Sequence, residues 1–88
     1  RRALLARQPH TPPVAVRRAG ETTPTARPVA AIVPGDELTL APGALVPVET
    51  RLVSPEAECS LAWITGEPAP RRFRAGERVP AGAHVAGR

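Results

Sequence analysis

Thr65-Gly66-Glu67-Pro68, set inside Leu61-Ala-Trp-Ile-Thr-Gly-Glu-Pro-Ala-Pro70, has the residue types needed to hold one carboxylate at the tip of a stiff turn. Gly66 permits a backbone path closed to other residues, and Pro68 and Pro70 restrict the exit. An exposed Glu is ionised at neutral pH, so Glu67 can orient a water molecule or take a proton from it. The alternative reading of the same four residues is a solvent-facing hairpin turn with no chemistry. Hydrolysis also needs an electrophile. The chain offers no second carboxylate evidently paired with Glu67, no phosphate-binding Gly-Lys-Thr loop and no metal-ligand cluster. It reads as half of an active site, acting on a group carried elsewhere.

Other chemistry-bearing residues read more simply as structure. His10 and His84 are far apart and lack ligand-like spacing, so neither is assigned to a metal. Cys59 is the only cysteine; it excludes an internal disulfide and is expected to be a buried, inert thiol. Arg71, Arg72 and Arg74 around Phe73 form the densest basic patch. It suits either phosphate contact or, more simply, a solvated turn. A nucleic-acid β-barrel would stack bases on several aromatics, whereas this chain has only Trp63 and Phe73. Trp63 beside Ile64 is expected to be a core anchor, since one large aromatic buries about 150 to 250 Å². Gly35 and Asp36 suit a turn in which the Asp carboxylate accepts local backbone hydrogen bonds.

The elements that must position Glu67 are short. Arg1 to Arg7 suits a helical turn or two that Pro9 to Pro13 then break, the end of a truncated helix. Val14 to Val16 is a candidate strand, followed by a turn at Arg17 to Gly20 and a polar connection from Glu21 to Arg27. Val29 to Val33 suits a strand, Pro34-Gly35-Asp36 a turn, and Glu37 to Leu40 an alternating strand. Pro42-Gly43 reverses the chain. Short strands at Leu45 to Val48 and Thr50 to Val53 follow, then Glu58 to Ile64 leads into the Glu67 loop and Arg78-Val79 opens the last stretch. Short strands broken by close turn signals point to a mainly β fold, a small distorted jelly roll or β-sandwich with a short N-terminal helical segment. No internal repeat or domain boundary is visible, so residues 1–88 read as a single domain: 1–13 a helical connection, 14–88 a β core.

Composition narrows the class. A domain of 88 residues buries only about 60 to 65% of its unfolded surface, which limits it to one modest core. No run approaches the ~18 apolar residues of a membrane helix, and no signal peptide is recognisable; the piece is expected to be soluble. The missing initiator Met suggests a fragment. The formal charge is +4 and all twelve basic residues are Arg. With Lys, Asn and Tyr absent and Ala and Pro abundant, this looks like codon bias toward GC-rich triplets, and much of the basic character is discounted as a signal. The twelve Pro limit helix interiors and favour strand ends and turns.

The blocks flanking the Glu67 loop carry a resemblance. Val33-Pro-Gly-Asp-Glu-Leu-Thr-Leu-Ala-Pro-Gly-Ala-Leu-Val-Pro-Val48 stands upstream and Ala75-Gly-Glu-Arg-Val-Pro-Ala-Gly82 downstream. In this order and spacing they resemble the actuator domain of P-type ATPases, most closely the heavy-metal-transporting branch of copper, zinc and cadmium type. That family reads Pro-Gly-Asp, then Pro-Gly-x-x-x-Pro-Val-Asp-Gly, then Thr-Gly-Glu-Ser or Thr-Gly-Glu-Pro, then Gly-Asp-x-Val-x-Ala-Gly. The likeness extends more loosely over nearly the whole chain, with Leu4-Leu5 and Ala15 to Gly20 in its weaker N-terminal part.

The resemblance implies a cytoplasmic jelly-roll domain flanked by helical connections to the membrane. It would work on an aspartyl phosphate formed from ATP, with Mg2+, in a separate domain of the same polypeptide. Glu67 would position the attacking water; Thr65 and Gly66 would shape the loop and contact the phosphorylated site; Pro68 would stand where Ser is common. No cofactor or metal would bind this domain, the transported cation binding elsewhere, and the isolated fragment would hydrolyse nothing. Its partners would be the phosphorylation and nucleotide-binding domains and the transmembrane helices of the same chain. Two departures remove polar anchors: Ser60-Leu61-Ala62 replaces an acidic, hydroxyl-bearing triplet, and Glu49-Thr50 replaces Asp-Gly. Trp63 and Ile64 could brace the loop hydrophobically instead. The other readings are a non-catalytic β-sandwich interaction module with a coincidental or vestigial loop, and an Arg-rich nucleic-acid binder.

Overall fold

A computed structural model describes residues 12–87. The helical turn expected at Arg1 to Arg7 lies outside the described residues, and of the 1–13 connection only Pro12 and Pro13 are described, neither of them helical. The structure is mainly β, as expected: the described residues form eight short strands in three antiparallel sheets, with one four-residue α-helix. Contacts divide the chain into two compact units between Thr39 and Leu40.

The first unit is the sheet β2-β1-β3, formed by β1 (Val14–Arg17), β2 (Thr25–Arg27) and β3 (Glu37–Thr39). Alternation along β1 buries Val14 and Val16 and turns Ala15 and Arg17 toward the other face. Guanidinium–carboxylate pairs fix the connections. Arg17 donates to its cross-strand partner Glu37 from Nε (3.0 Å) and Nη2 (2.7 Å). Arg27 Nη2 reaches Glu21 Oε2 at 2.6 Å, and Glu21 Oε1 accepts the Arg18 amide at 2.9 Å.

Arg18 grips Asp36 with two parallel 2.9 Å bonds and donates to the Ala31 carbonyl at 2.8 Å. The Asp36 side chain is only 1% exposed, and it also accepts the Val33 amide at 3.0 Å. This bears out the local turn read from Pro34-Gly35-Asp36. The Arg18 guanidinium, and after it the Val33 N–H, holds the Asp36 carboxyl down at about 2.

Two expectations fail in this unit. Val29–Ala31 is a 3-10 turn, not a strand. Pro28 and Pro34 cannot donate to a ladder, and the Ala31 and Ile32 amides close back on the carbonyls of Pro28 and Val29. The polar stretch before it supplies a strand instead, since β2 pairs Val16 with Thr25 and Val14 with Arg27. Pairing to β1 overrides its weak apolar signal.

The second unit holds β4 (Thr50–Arg51), β5 (Glu56–Ser60), α1 (Ala62–Thr65), β6 (Arg71–Arg74), β7 (Arg78–Val79) and β8 (His84–Val85), in sheets β4-β7 and β6-β5-β8. Of the expected strand at Leu45 to Val48, only Leu45 bridges, to His84. Val46, Cys59, Phe73, Val79 and Ala83 form the core, with Leu40, Leu52, Leu61 and Val85 packed against it. Burial raises the Cys59 thiol above its ordinary value, in keeping with an inert role.

On β5 and β6 the pleat sorts the residues. Ala57 faces Phe73, while Glu56 and Glu58 face Arg74 and Arg72 across the ladder. Arg72 stands 3.9 Å from Glu56 and 3.6 Å from Glu58, all exposed, and Arg71 lies over the Phe73 ring at 4.6 Å. The basic run is thus one polar strand face plus one cation over an aromatic ring. No helix among the described residues is long and apolar enough to cross a membrane.

Two stability experiments follow. Phe73→Ala should cost about 3 to 5 kcal/mol in urea unfolding, because it removes the largest fully buried side chain among the described residues. Asp36→Asn should be less stable than wild type at pH 7. A carboxyl held below its unfolded value stabilises fully above that value, near 3.8, and loses the effect as pH falls through about 2. The gap between the two proteins should therefore narrow as pH falls through that window; a constant gap would mean that the Arg18 contact contributes nothing.

Candidate functional site

The segment between β5 and β6 carries all four predicted site residues, Thr65, Gly66, Glu67 and Pro68, on one short helix and the loop that follows it. Ser60 ends β5, and its Oγ accepts the Ala62 amide at 3.2 Å. A residue counted among the lost polar anchors therefore serves as one. Leu61 turns its side chain to the core, and its carbonyl accepts the amides of Ile64 (2.9 Å) and Thr65 (2.8 Å). This single turn is α1.

Gly66 stops it. With φ +80 and ψ 0 it caps the helix in the left-handed region, its amide bonded to the Ala62 carbonyl at 2.9 Å. The requirement for glycine here, read from the sequence, is met by the backbone. Thr65 then couples the helix to the loop. Its hydroxyl donates to the Leu61 carbonyl at 3.3 Å and accepts the Glu67 amide at 3.2 Å. One side chain adds a bond to the carbonyl that opens the helix and ties down the residue that carries the carboxylate.

Glu67 is exposed, and among the described residues its carboxylate makes no hydrogen bond or ion pair. Its backbone is held while its side chain is free to accept from a ligand. Pro68 and Pro70, both exposed, lead the chain into β6.

Trp63 is not a core anchor. It is 84% exposed, because a single helical turn entered through Leu61 aims its next side chain outward; α1 buries none of its own residues. The indole instead lies against His84, with ring centroids 5.7 Å apart and planes tilted by 38°. Ile64 rests on Gly82: a Cβ at Gly82 would fall 3.3 Å from Ile64 Cγ1. Of the two residues expected to brace the loop, Ile64 meets the β7–β8 connection at Gly82, while Trp63 stands mostly exposed beside His84 of β8. Sequence reasoning passed over His84 and Gly82 in this role; only the nearness of the Ala75 to Gly82 block in the motif order hinted at it. Among the described residues no group of His, Cys, Asp and Glu gathers to hold a metal.

Gly66→Ala should destabilise the chain by about 1 to 2 kcal/mol, the cost of forcing a Cβ into the left-handed region. Gly66→Asn should cost less, since Asn tolerates that region. Equal urea midpoints for wild type and Gly66→Ala would show that the positive φ is not maintained in solution.

Comparison with known proteins agrees with this architecture. Residues 9–88 match the P-type ATPase actuator domain. The zinc/cadmium/lead-transporting P-type ATPase of Escherichia coli is 38% identical over 82 residues, covering 92% of this chain and 10% of that protein. A probable copper-transporting ATPase of Synechococcus is 38% identical over 55 residues, covering 62% of this chain and 7% of its own length. Among solved structures, one of a zinc-transporting PIB-type ATPase superposes over all of this chain and 14% of its own, with TM-score 0.76 and 32% identity. A second, of a zinc-transporting PIB-type ATPase in another state, gives TM-score 0.78 at 32% identity, over 98% of this chain. The chain thus spans about a tenth of the curated E. coli relative and a somewhat larger share of the solved ones. By the match over residues 9–88 and the shared fold, this chain belongs to the P-type ATPase actuator domain family.

Proposed function

We propose that this chain is the cytoplasmic actuator domain of a heavy-metal-translocating P-type ATPase, and that Glu67 promotes hydrolysis of the aspartyl phosphate formed in the separate phosphorylation domain. The metals named for its relatives, zinc, cadmium, lead and copper, support the heavy-metal assignment. The observation that carries the site is the state of Glu67. Its amide is pinned by Thr65, a left-handed glycine precedes it, and its exposed side chain has no partner among the described residues.

In this reading ATP and Mg2+ act in the phosphorylation and nucleotide-binding domains, and this domain binds neither. Glu67 accepts a hydrogen bond from a water aligned with the phosphorus and takes its proton as attack proceeds. A new P–O bond forms to the water oxygen, the P–O bond to the aspartate breaks, and carboxylate and inorganic phosphate are released. Thr65 and Gly66 keep the carboxylate projecting, and Pro68 stiffens the exit. The domain supplies half of the site, so the isolated fragment hydrolyses nothing. Rotation against the phosphorylation domain and the transmembrane helices couples the step to cation transport at the cytoplasmic face of the membrane.

Decay of the radiolabelled phosphoenzyme in the full-length parent tests this. Glu67→Gln should slow decay by about 10²- to 10⁴-fold, the usual contribution of a positioned general base. Decay at the wild-type rate would leave the loop a structural turn.

A further inference from the structure

The loop carries an exposed tryptophan that the hydrolytic reading leaves unused. Trp63 is 84% exposed and its neighbour Ile64 46%. An exposed aromatic of this size has the properties of an interface anchor. The indole lies beside the His84 ring, centroids 5.7 Å apart, on a turn closed by backbone hydrogen bonds at Leu61 and Gly66. His84 in turn bridges to Leu45, itself 47% exposed, and directly paired residues share a sheet face. An exposed leucine therefore neighbours the residue beside which the indole lies.

We propose that Trp63, seated on His84, is the apolar anchor by which the Glu67 loop docks on the phosphorylation domain of the same polypeptide. This rests on the functional reading above. Trp63 stands four residues before Glu67, and Thr65 ties the turn between them to the Glu67 amide. A surface that receives Glu67 at a phosphorylated aspartate lies within reach of the indole. The chain spans only 10% of a curated relative and 14% of a solved one, and in the functional reading above the aspartate belongs to a separate domain. Burying so large an exposed ring supplies the apolar contact that an interface anchor needs.

The test uses the full-length parent and beryllium fluoride, a mimic of the aspartyl phosphate. Trp63→Ala should weaken apparent beryllium fluoride affinity and slow phosphoenzyme decay, each by about tenfold, the scale of a truncated aromatic anchor. Trp63→Phe should recover most of both. Phosphorylation from ATP, which does not need the docked loop, should stay at the wild-type level and report intact folding. If Trp63→Ala loses phosphorylation, the same comparison is made with Trp63→Leu, where a partial loss supports the anchor and no loss overturns it. Glu67→Gln should slow decay while keeping beryllium fluoride affinity. If Glu67→Gln decays as wild type, the functional reading fails; if it is slow while Trp63→Ala is normal in both measurements, the anchor alone fails. A changed oligomeric state in Trp63→Ala with unchanged beryllium fluoride affinity would assign the surface to a second copy and overturn the proposal.

Discussion

Burial of Phe73 fixes the place of Glu67. The ring is fully enclosed and is the largest side chain in a core of few residues. Its strand pairs with β5 so that Ala57 meets Phe73 and Cys59 meets Arg71. A slip of one residue would turn the ring to solvent and bring Arg72 inward, exchanging apolar burial for an unpaired buried charge. The register is therefore strongly specified. The loop that carries Thr65, Gly66 and Glu67 leaves from the end of β5 and returns at the start of β6, so it is clamped at both ends by the same pairing. Within the clamp, the Ser60 hydroxyl, the Gly66 stop and the Thr65 hydroxyl set the path.

The two units are held by different physics. The second relies on the apolar cluster around Phe73. The first has two buried valines on β1 and leans on guanidinium–carboxylate geometry, with Arg18 forked onto both oxygens of Asp36 and Arg17 donating twice to one oxygen of Glu37. Surface ion pairs contribute little as a class, but a bidentate pair around a nearly enclosed carboxylate that also accepts a backbone amide is of a stronger kind. Arginine suits this task better than lysine because its planar fork matches both carboxylate oxygens at once. The Arg-only basic composition, which says little about partners, thus matters to the fold.

What was legible in the sequence was whatever depends on local backbone chemistry. The Pro34-Gly35-Asp36 turn, the need for glycine at position 66 and the strand over Val14 to Val16 follow from rules acting over a few residues. What was not legible depended on partners far along the chain. Thr25 to Arg27 is a strand only because β1 offers an edge, and the apolar stretch from Val29 is not one because no ladder among the described residues receives it. Trp63 was misplaced for a related reason: hydrophobicity predicts that an indole is buried somewhere, but a one-turn helix entered through Leu61 leaves it facing out. The Glu67 site was readable because its residues are contiguous, whereas its neighbours, His84 and Gly82, arrive from β8 and the turn before it.

The exposure of Trp63 also has an optical consequence. The chain has one tryptophan, one phenylalanine and no tyrosine, and the phenylalanine is the one in the core. Ultraviolet emission from this protein therefore originates almost entirely at the Glu67 loop and almost not at all in the interior. Its wavelength is set by the solvent around that loop, and loss of the core changes it little. The chromophore records the environment of the site, while the fold beneath it is spectrally silent.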